Sequence, residues 1–174
     1  YMIGETYGDE QLIASYLNNG MMECQFDFNL FFTTRDAILK DYEGSFVDVA
    51  KTMESSFYWY GHHNTMGYIS GNHDQPRFMG YAGGDLKFGE NDREAGFSRD
   101  IMVKDSLGYK KLQSMMGFIF TIPGVPVVYY GDEIGMVGAN DPDNRDLMRF
   151  SGLNAWEEDT KSITQKLTAL RSGS

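Results

Sequence analysis

Two stretches of this sequence carry residue types suited to acid–base chemistry. The first is Glu5, set in Ile3-Gly4-Glu5-Thr6 and followed closely by Tyr7 and Gly8. A carboxyl group at the end of an apolar strand, partly withdrawn from water, holds its proton more tightly and can act as a general acid. On spacing alone, a solvated acid near a chain end would read the same way. The second is Asn72-His73-Asp74, which offers an amide, an imidazole and a carboxylate within three residues. Its structural reading is a polar turn held by Asx-type hydrogen bonds. Two carboxylates on different strand ends suit cleavage of a glycosidic bond, where an acid and a second carboxylate flank the bond that breaks. Neither group is specific alone; the pair points to that chemistry.

The elements that would position these groups recur four times, each an apolar run followed by a helical pattern. Tyr1-Met2-Ile3-Gly4 reads as a strand, and behind it Leu12, Ile13, Tyr16 and Leu17 share one helical face, with Gly20 placed to stop the helix. The second strand alternates over Glu23–Leu30, with Cys24, Phe26, Phe28 and Leu30 on one side and Glu23, Gln25, Asp27 and Asn29 on the other. A helix follows, with Phe46, Val49, Ala50, Met53 and Phe57 in register. The third strand is Met66–Ser70, then residues 80–100 read as a long loop rich in Gly and charge, and a helix over 106–121 carries Leu112, Met115, Met116, Ile119 and Phe120. Val125–Tyr130 is a continuous apolar run of the kind found in parallel strands buried on both faces. A polar loop over 131–158 leads to a last helix with Ile163, Leu167 and Leu170, for which Ser162 and Gln165 could form a capping box.

Two α/β architectures accept four such units: a doubly wound open sheet, or half of an eight-stranded (β/α) barrel. The first would show a glycine-rich phosphate loop after its first strand, and Gly4-Glu5-Thr6-Tyr7-Gly8 puts a carboxylate where a phosphate would lie. The second expects chemically able residues just past each strand's C-terminal end. Glu5, Asn29, Asn72-His73-Asp74 and Asp132-Glu133 meet that expectation, so the half barrel is preferred.

Composition narrows the partners. The chain has 174 residues, with two Trp, eleven Tyr and twelve Phe, which is far too aromatic for a disordered tract and enough for one domain with a sizeable core. The net charge of −10 argues against nucleic acid, which is bound by clustered Lys and Arg. No apolar run approaches the roughly 20 residues of a membrane span. The single Cys24 excludes an intramolecular disulfide framework and any multi-cysteine zinc site, and it leaves the compartment open. The chain does not begin with Met, and Ser172-Gly173-Ser174 has the composition of a linker.

Several motifs together resemble the alpha-amylase family of glycoside hydrolases (family 13). Gly67-Tyr68-Ile69-Ser70-Gly71-Asn72-His73-Asp74-Gln75-Pro76-Arg77 is similar to the fourth signature region, where Asn-His-Asp closes the seventh barrel strand. Ile3-Gly4-Glu5-Thr6 resembles the third region, at the fifth strand. Gly124–Met136 resembles the eighth strand, Asn140–Arg145 the loop after it, and Gln165–Arg171 the eighth helix. The resemblance implies the C-terminal half of the catalytic (β/α)8 barrel, strands five to eight, over residues 1–174. It implies that Glu5 is the general acid/base and Asp74 the carboxylate that stabilises the oxocarbenium-like transition state. His73 and Asn72 would bind the same sugar ring, and Asp141 and Arg145 the neighbouring subsites on the non-reducing side; Tyr7, by its place in a loop on the strands' C-terminal side, is a candidate for stacking on a sugar. The implied substrate is an α-1,4-linked glucan.

The departure from the family pattern is large. The family's nucleophilic Asp comes in a Gly-x-Arg-x-Asp motif on the fourth strand, and no such motif occurs in these 174 residues. The Asn-His motif of the third strand and the C-terminal β-sandwich are likewise absent. A retaining mechanism needs nucleophile and acid/base together, so the full-length protein is expected to be the enzyme and this chain alone to be inactive. The half barrel is expected to self-associate or to pair with its missing half.

Other signals carry less. His62-His63 are adjacent and point apart, so no metal is assigned there. Asp141, Asp143 and Asp146 lack the Gly and the terminal Glu of an EF-hand. No cofactor is expected in this chain, although calcium, common in the family, is possible in the full-length protein. Phe57-Tyr58-Trp59-Tyr60 reads as helix packing rather than a sugar platform; Tyr81 and Phe88, in the long loop, join Tyr7 as stacking candidates. A transglycosylase would use the same residues, with a sugar hydroxyl in place of water. A non-catalytic glucan-binding fragment is the third reading.

Overall fold

The structure is a computed structural model that describes residues 2–40 and 42–173. Tyr1, at the start of the first expected strand, and Ser174, at the end of the expected linker, lie outside the described residues. Among those residues, four parallel strands form one sheet: β1 (Ile3–Gly4), β2 (Cys24–Phe26), β3 (Thr65–Ile69) and β4 (Val125–Val127). Their spatial order is β1-β2-β3-β4, with Ile3 opposite Cys24, Gln25 opposite Met66 and Gly67 opposite Val125. Each strand lies beside its chain neighbour and the order never reverses. That is the order of consecutive barrel strands; a doubly wound sheet has a switch point where the order turns back.

Among the described residues, seven α-helices accompany the strands: α1 (Glu10–Asn18), α2 (Phe28–Lys40), α3 (Ser45–Tyr60), α4 (Phe78–Ala82), α5 (Asp92–Ser98), α6 (Leu107–Thr121) and α7 (Ala155–Ser172). The chain divides into two compact units, one running up to Ile69 with Thr121–Val127 added, the other Ser70–Phe120 with the residues from Val128 on.

The first unit holds the sheet with α1, α2 and α3. Asp9 caps α1 by accepting the Leu12 N–H at 2.8 Å, and Ile13, Ala14 and Leu17 are buried, while Leu12 and Tyr16 of the expected face are exposed. The alternation over 23–30 misleads. The strand ends at Phe26, and Phe28 and Leu30 belong to α2. Asp27 makes that turn, because its carboxylate accepts the Leu30 N–H at 3.0 Å and so satisfies a donor of the first helical turn. The polar side of β2 is not a solvated face. Gln25 and Asp27 are fully buried; Gln25 accepts the Thr6 N–H at 3.2 Å and Asp27 the Ser56 hydroxyl at 2.6 Å. Phe46, expected in the core face of α3, is two-thirds exposed, whereas Val49 and Tyr60 are buried. Gly124 enters β4 at φ +140°, and a Cβ there would run into the Tyr68 ring and stand 2.7 Å from the Met66 carbonyl, so only glycine lets the loop approach β3 this closely. Val125–Val127 are exposed or half-buried, not buried on both faces as their apolar run predicts.

The second unit corrects the expected long loop over 80–100, which contains α4, α5 and a small core of Leu86, Ala95, Ile101 and Ala139 with Tyr81 and Val137 against it. Asn91 caps α5, and buried Asp85 gathers Met102 N, Arg99 Nε and Lys104 Nζ at 3.0, 3.2 and 2.8 Å. Helix α6 buries all five residues expected of it. Helix α7 starts earlier than expected and is capped by Asn154 with Glu157 in a capping box, not by Ser162 and Gln165; Leu170 on it is exposed.

Candidate active site

Glu5 follows β1 directly, in the first unit, and is exposed, so the desolvation expected of its carboxyl is not found in this chain. Tyr7 is 74% exposed and makes edge contacts with Phe28 and Phe32, at 5.8 and 6.1 Å between ring centres, which leave much of its surface open. Asn29, expected at a strand end, sits in the first turn of α2, where its amide donates to the Gly8 carbonyl at 3.1 Å. Tyr81 and Phe88 stack face to face at 4.6 Å, which uses one face of each ring.

The second unit brings the other predicted residues together. After β3 the chain makes an Asx turn in which Asn72 Oδ1 accepts the Asp74 N–H at 3.1 Å. The turn presents His73 and Asp74, both exposed, with His73 Nε2 3.4 Å from Asp74 Oδ2. The loop after β4 supplies Arg145, whose guanidinium lies 3.5 Å from Asp74 Oδ1 and 3.0 Å from Asp141 Oδ1. Arg93 of α5 reaches Asp141 at 3.3 Å from the other side. Exposed ion pairs of this kind add little stability. They do hold acceptors and donors together in one exposed patch.

Beneath this patch lies a buried network that sequence reasoning missed. Asp132, one of the polar residues expected just past the end of the fourth strand, is buried; its carboxylate accepts the Ser70 hydroxyl at 2.6 Å and Arg77 Nη1 at 3.2 Å. Burial pushes the Asp132 carboxyl up, to about 6, against the pull of Arg77 and Ser70. The Arg77 guanidinium also donates to the Tyr130 carbonyl at 2.7 Å and lies over the Tyr129 and Tyr130 rings at 4.7 and 4.8 Å. Ser70 Oγ accepts the Tyr129 N–H at 3.0 Å. Asn144, quoted in the Asn140–Arg145 motif without a role, is fully buried and donates to the carbonyls of His73 and Gln75. The available signal was Arg77 itself, a charged residue set directly before the apolar pair Phe78-Met79.

No group of three or more His, Cys, Asp or Glu side chains among the described residues is arranged to hold a metal ion. Asp143, weighed for a calcium loop, accepts the Ala139 N–H at 2.5 Å. Among the described residues, no helix is long and apolar enough to cross a membrane.

The sequence pattern of the family described as "Alpha amylase, catalytic domain" matches residues 1–172. The chain is 28% identical over 152 residues to a beta/alpha-amylase of Paenibacillus polymyxa, covering 87% of this chain and 11% of that protein. It is 35% identical over 80 residues to a cyclomaltodextrinase of Geobacillus thermopakistaniensis, covering 46% of this chain and 10% of the relative. The similar proteins also include a cyclomaltodextrin glucanotransferase. Among solved structures, the alpha-amylase of Geobacillus thermoleovorans in complex with acarbose superposes with a TM-score of 0.69 at 26% identity, covering 98% of this chain and 35% of that one. The chain thus spans about a tenth of the length of these two relatives, and its four strands are an arc of the barrel such enzymes share. The chain belongs to the alpha-amylase catalytic-domain family.

Proposed function

We propose that this chain is the acid/base-bearing half of a retaining α-glucan hydrolase that cleaves α-1,4-glucosidic bonds in starch or maltooligosaccharides. The observation that carries the reading is the exposed patch of His73, Asp74, Asp141 and Arg145, assembled from the ends of two neighbouring barrel strands. In this reading Glu5 protonates the leaving glycosidic oxygen and later takes a proton from the attacking water. Asp74, held in place by its turn, accepts hydrogen bonds from the sugar at the cleavage point and opposes the positive charge that develops there. His73 and Asn72 contact the same ring, Asp141 and Arg145 the next ones, and Tyr7 offers an exposed aromatic face for stacking. The reading assigns this chain no cofactor. The nucleophile comes from outside these residues, so the chain by itself is proposed to be inactive.

The similarity to a glucanotransferase supports a second reading, transfer to a sugar hydroxyl instead of water. The same side chains serve both, and product analysis with the full-length protein separates them. The test of the main reading is Glu5→Gln in the full-length protein. Turnover of maltooligosaccharides is expected to fall by about 10²–10⁴-fold, the usual contribution of general acid catalysis, while glucan binding persists. A variant that keeps more than about a tenth of the activity would reject the acid/base role.

A further inference from the structure

The turn that presents His73 and Asp74 receives much of its support from a loop that follows a different strand. The 3₁₀ turn Asp143–Arg145 places Asn144, 0% exposed, directly behind it. The Asn144 amide nitrogen donates to the His73 carbonyl at 2.9 Å and to the Gln75 carbonyl at 2.8 Å. Both partners are acceptors, so only the NH2 end of the amide can face them, and its orientation follows from chemistry. Among the described residues the Asn144 Oδ1 is buried without a partner. A buried acceptor left unsatisfied costs stability, and at this position the two donated bonds offset that cost.

The loop that carries Asn144 is itself immobilised from several sides. A Cβ at Gly138 would lie 2.9 Å from Asn144 Cα, so the two segments touch backbone to backbone. The Gly138 carbonyl accepts the Arg77 N–H at 3.1 Å, and the Asn144 carbonyl accepts the Tyr129 hydroxyl at 3.4 Å. Arg145 adds a third donor to the turn, from Nε to the His73 carbonyl at 3.3 Å. The backbone on both sides of Asp74 is therefore pinned by one side chain that itself never reaches the exposed patch.

We infer that Asn144 is a positioning residue for Asp74: its paired donation to His73 and Gln75 sets where the carboxylate stands against a bound sugar. The inference rests on the reading of Asp74 as the transition-state-stabilising group. It goes beyond that reading by naming what aims it. A displacement of about 1 Å at such a group can cost about 10²-fold in rate, whereas ground-state binding, spread over His73, Asp141 and Arg145, should change little.

The experiment compares Asn144→Asp, which keeps the size but sets carboxylate oxygens against two carbonyls, and Asn144→Ser, which keeps at most one short donor. Amide hydrogen exchange is measured on the present chain, and kcat and KM for maltooligosaccharides on the full-length protein. Exchange at Asp74 and Arg77 should quicken about tenfold or more, with Gln25 and Gly67 in the sheet unchanged. In the same variants kcat should fall about 10²-fold with KM within about threefold of wild type. Serine should be the milder of the two. Unchanged exchange in the turn would overturn the clamp, and changed exchange with wild-type kcat would overturn the positioning role. Failure of both variants to fold would also overturn it, by making Asn144 a folding residue. If the wild-type protein turns over no glucan, the functional reading fails instead, and the clamp is judged by exchange alone.

Discussion

At the scale of single residues, Asp74 is the informative group. It stands between the His73 ring and the Arg145 guanidinium, 3.4 and 3.5 Å away, with three-fifths of its side chain still exposed. In the function proposed above, an acceptor so placed takes sugar hydroxyls while its neighbours hold it at a fixed point. Asp74→Asn keeps the shape and removes the charge. In the full-length protein it should lower kcat by about 10²-fold or more and move KM far less, because the lost interaction matters most once positive charge develops. Steady-state kinetics on a maltooligosaccharide decide it: a change confined to KM would make Asp74 an ordinary binding residue.

At the scale of elements, the buried carboxylates set the pH response. Asp27 closes β2 and starts α2, with no exposed surface, and burial pushes its carboxyl up from 3.8 to about 6 despite the Ser56 hydroxyl and the Leu30 N–H. The folded value lies above the unfolded one, so the native chain holds this proton more tightly. The stabilisation is complete below about pH 4 and is lost as pH rises through about 6, about 3 kcal/mol at most. Urea unfolding of the chain at pH 4, 5, 6 and 7 should show that loss, and Asp27→Asn should remove this residue's share. Asp132 contributes its own share in the same window, so a residual slope is expected in the variant. An identical slope in wild type and Asp27→Asn would show that Asp27 does not titrate there.

At the scale of the whole molecule, the sheet has two edges, β1 and β4, each with one strand neighbour. Met2 and Ile3 at one edge are 55% and 43% exposed and Val125 at the other 36%. Unpaired, apolar strand edges are templates for pairing with another chain. The purified chain is therefore expected to sediment as dimers or larger species and to bind an apolar dye. It should release no reducing sugar from soluble starch, because the sequence holds no Gly-x-Arg-x-Asp motif. A monomer that unfolds cooperatively and binds no dye would refute the edge argument, and enzyme-like turnover would refute the assignment of the nucleophile to another segment.

Much of this protein was legible in its residues alone. The alternation of apolar runs with helical patterns specified four βα units, and the polar residues after the runs located Glu5 and the Asn72-His73-Asp74 turn, because strand ends and tight turns leave local signatures. Helix α6 was legible for the same reason, its five apolar residues falling on one face. Wherever a signal was local but short, tertiary structure overrode it. Four alternating residues after Cys24 could not distinguish a strand from the start of α2, and the Asp27 carboxylate that caps α2 is held on its other oxygen by Ser56, far along the chain. The small core around Leu86 and Ile101 had no period to betray it, since its members come from α5 and from irregular segments. The positions of Arg77, Asp132 and Asn144 were decided by tertiary structure alone. A polar residue is written in the sequence as if solvated, and only the fold that buries it supplies the carbonyls, hydroxyl and counter-charge that make its burial affordable.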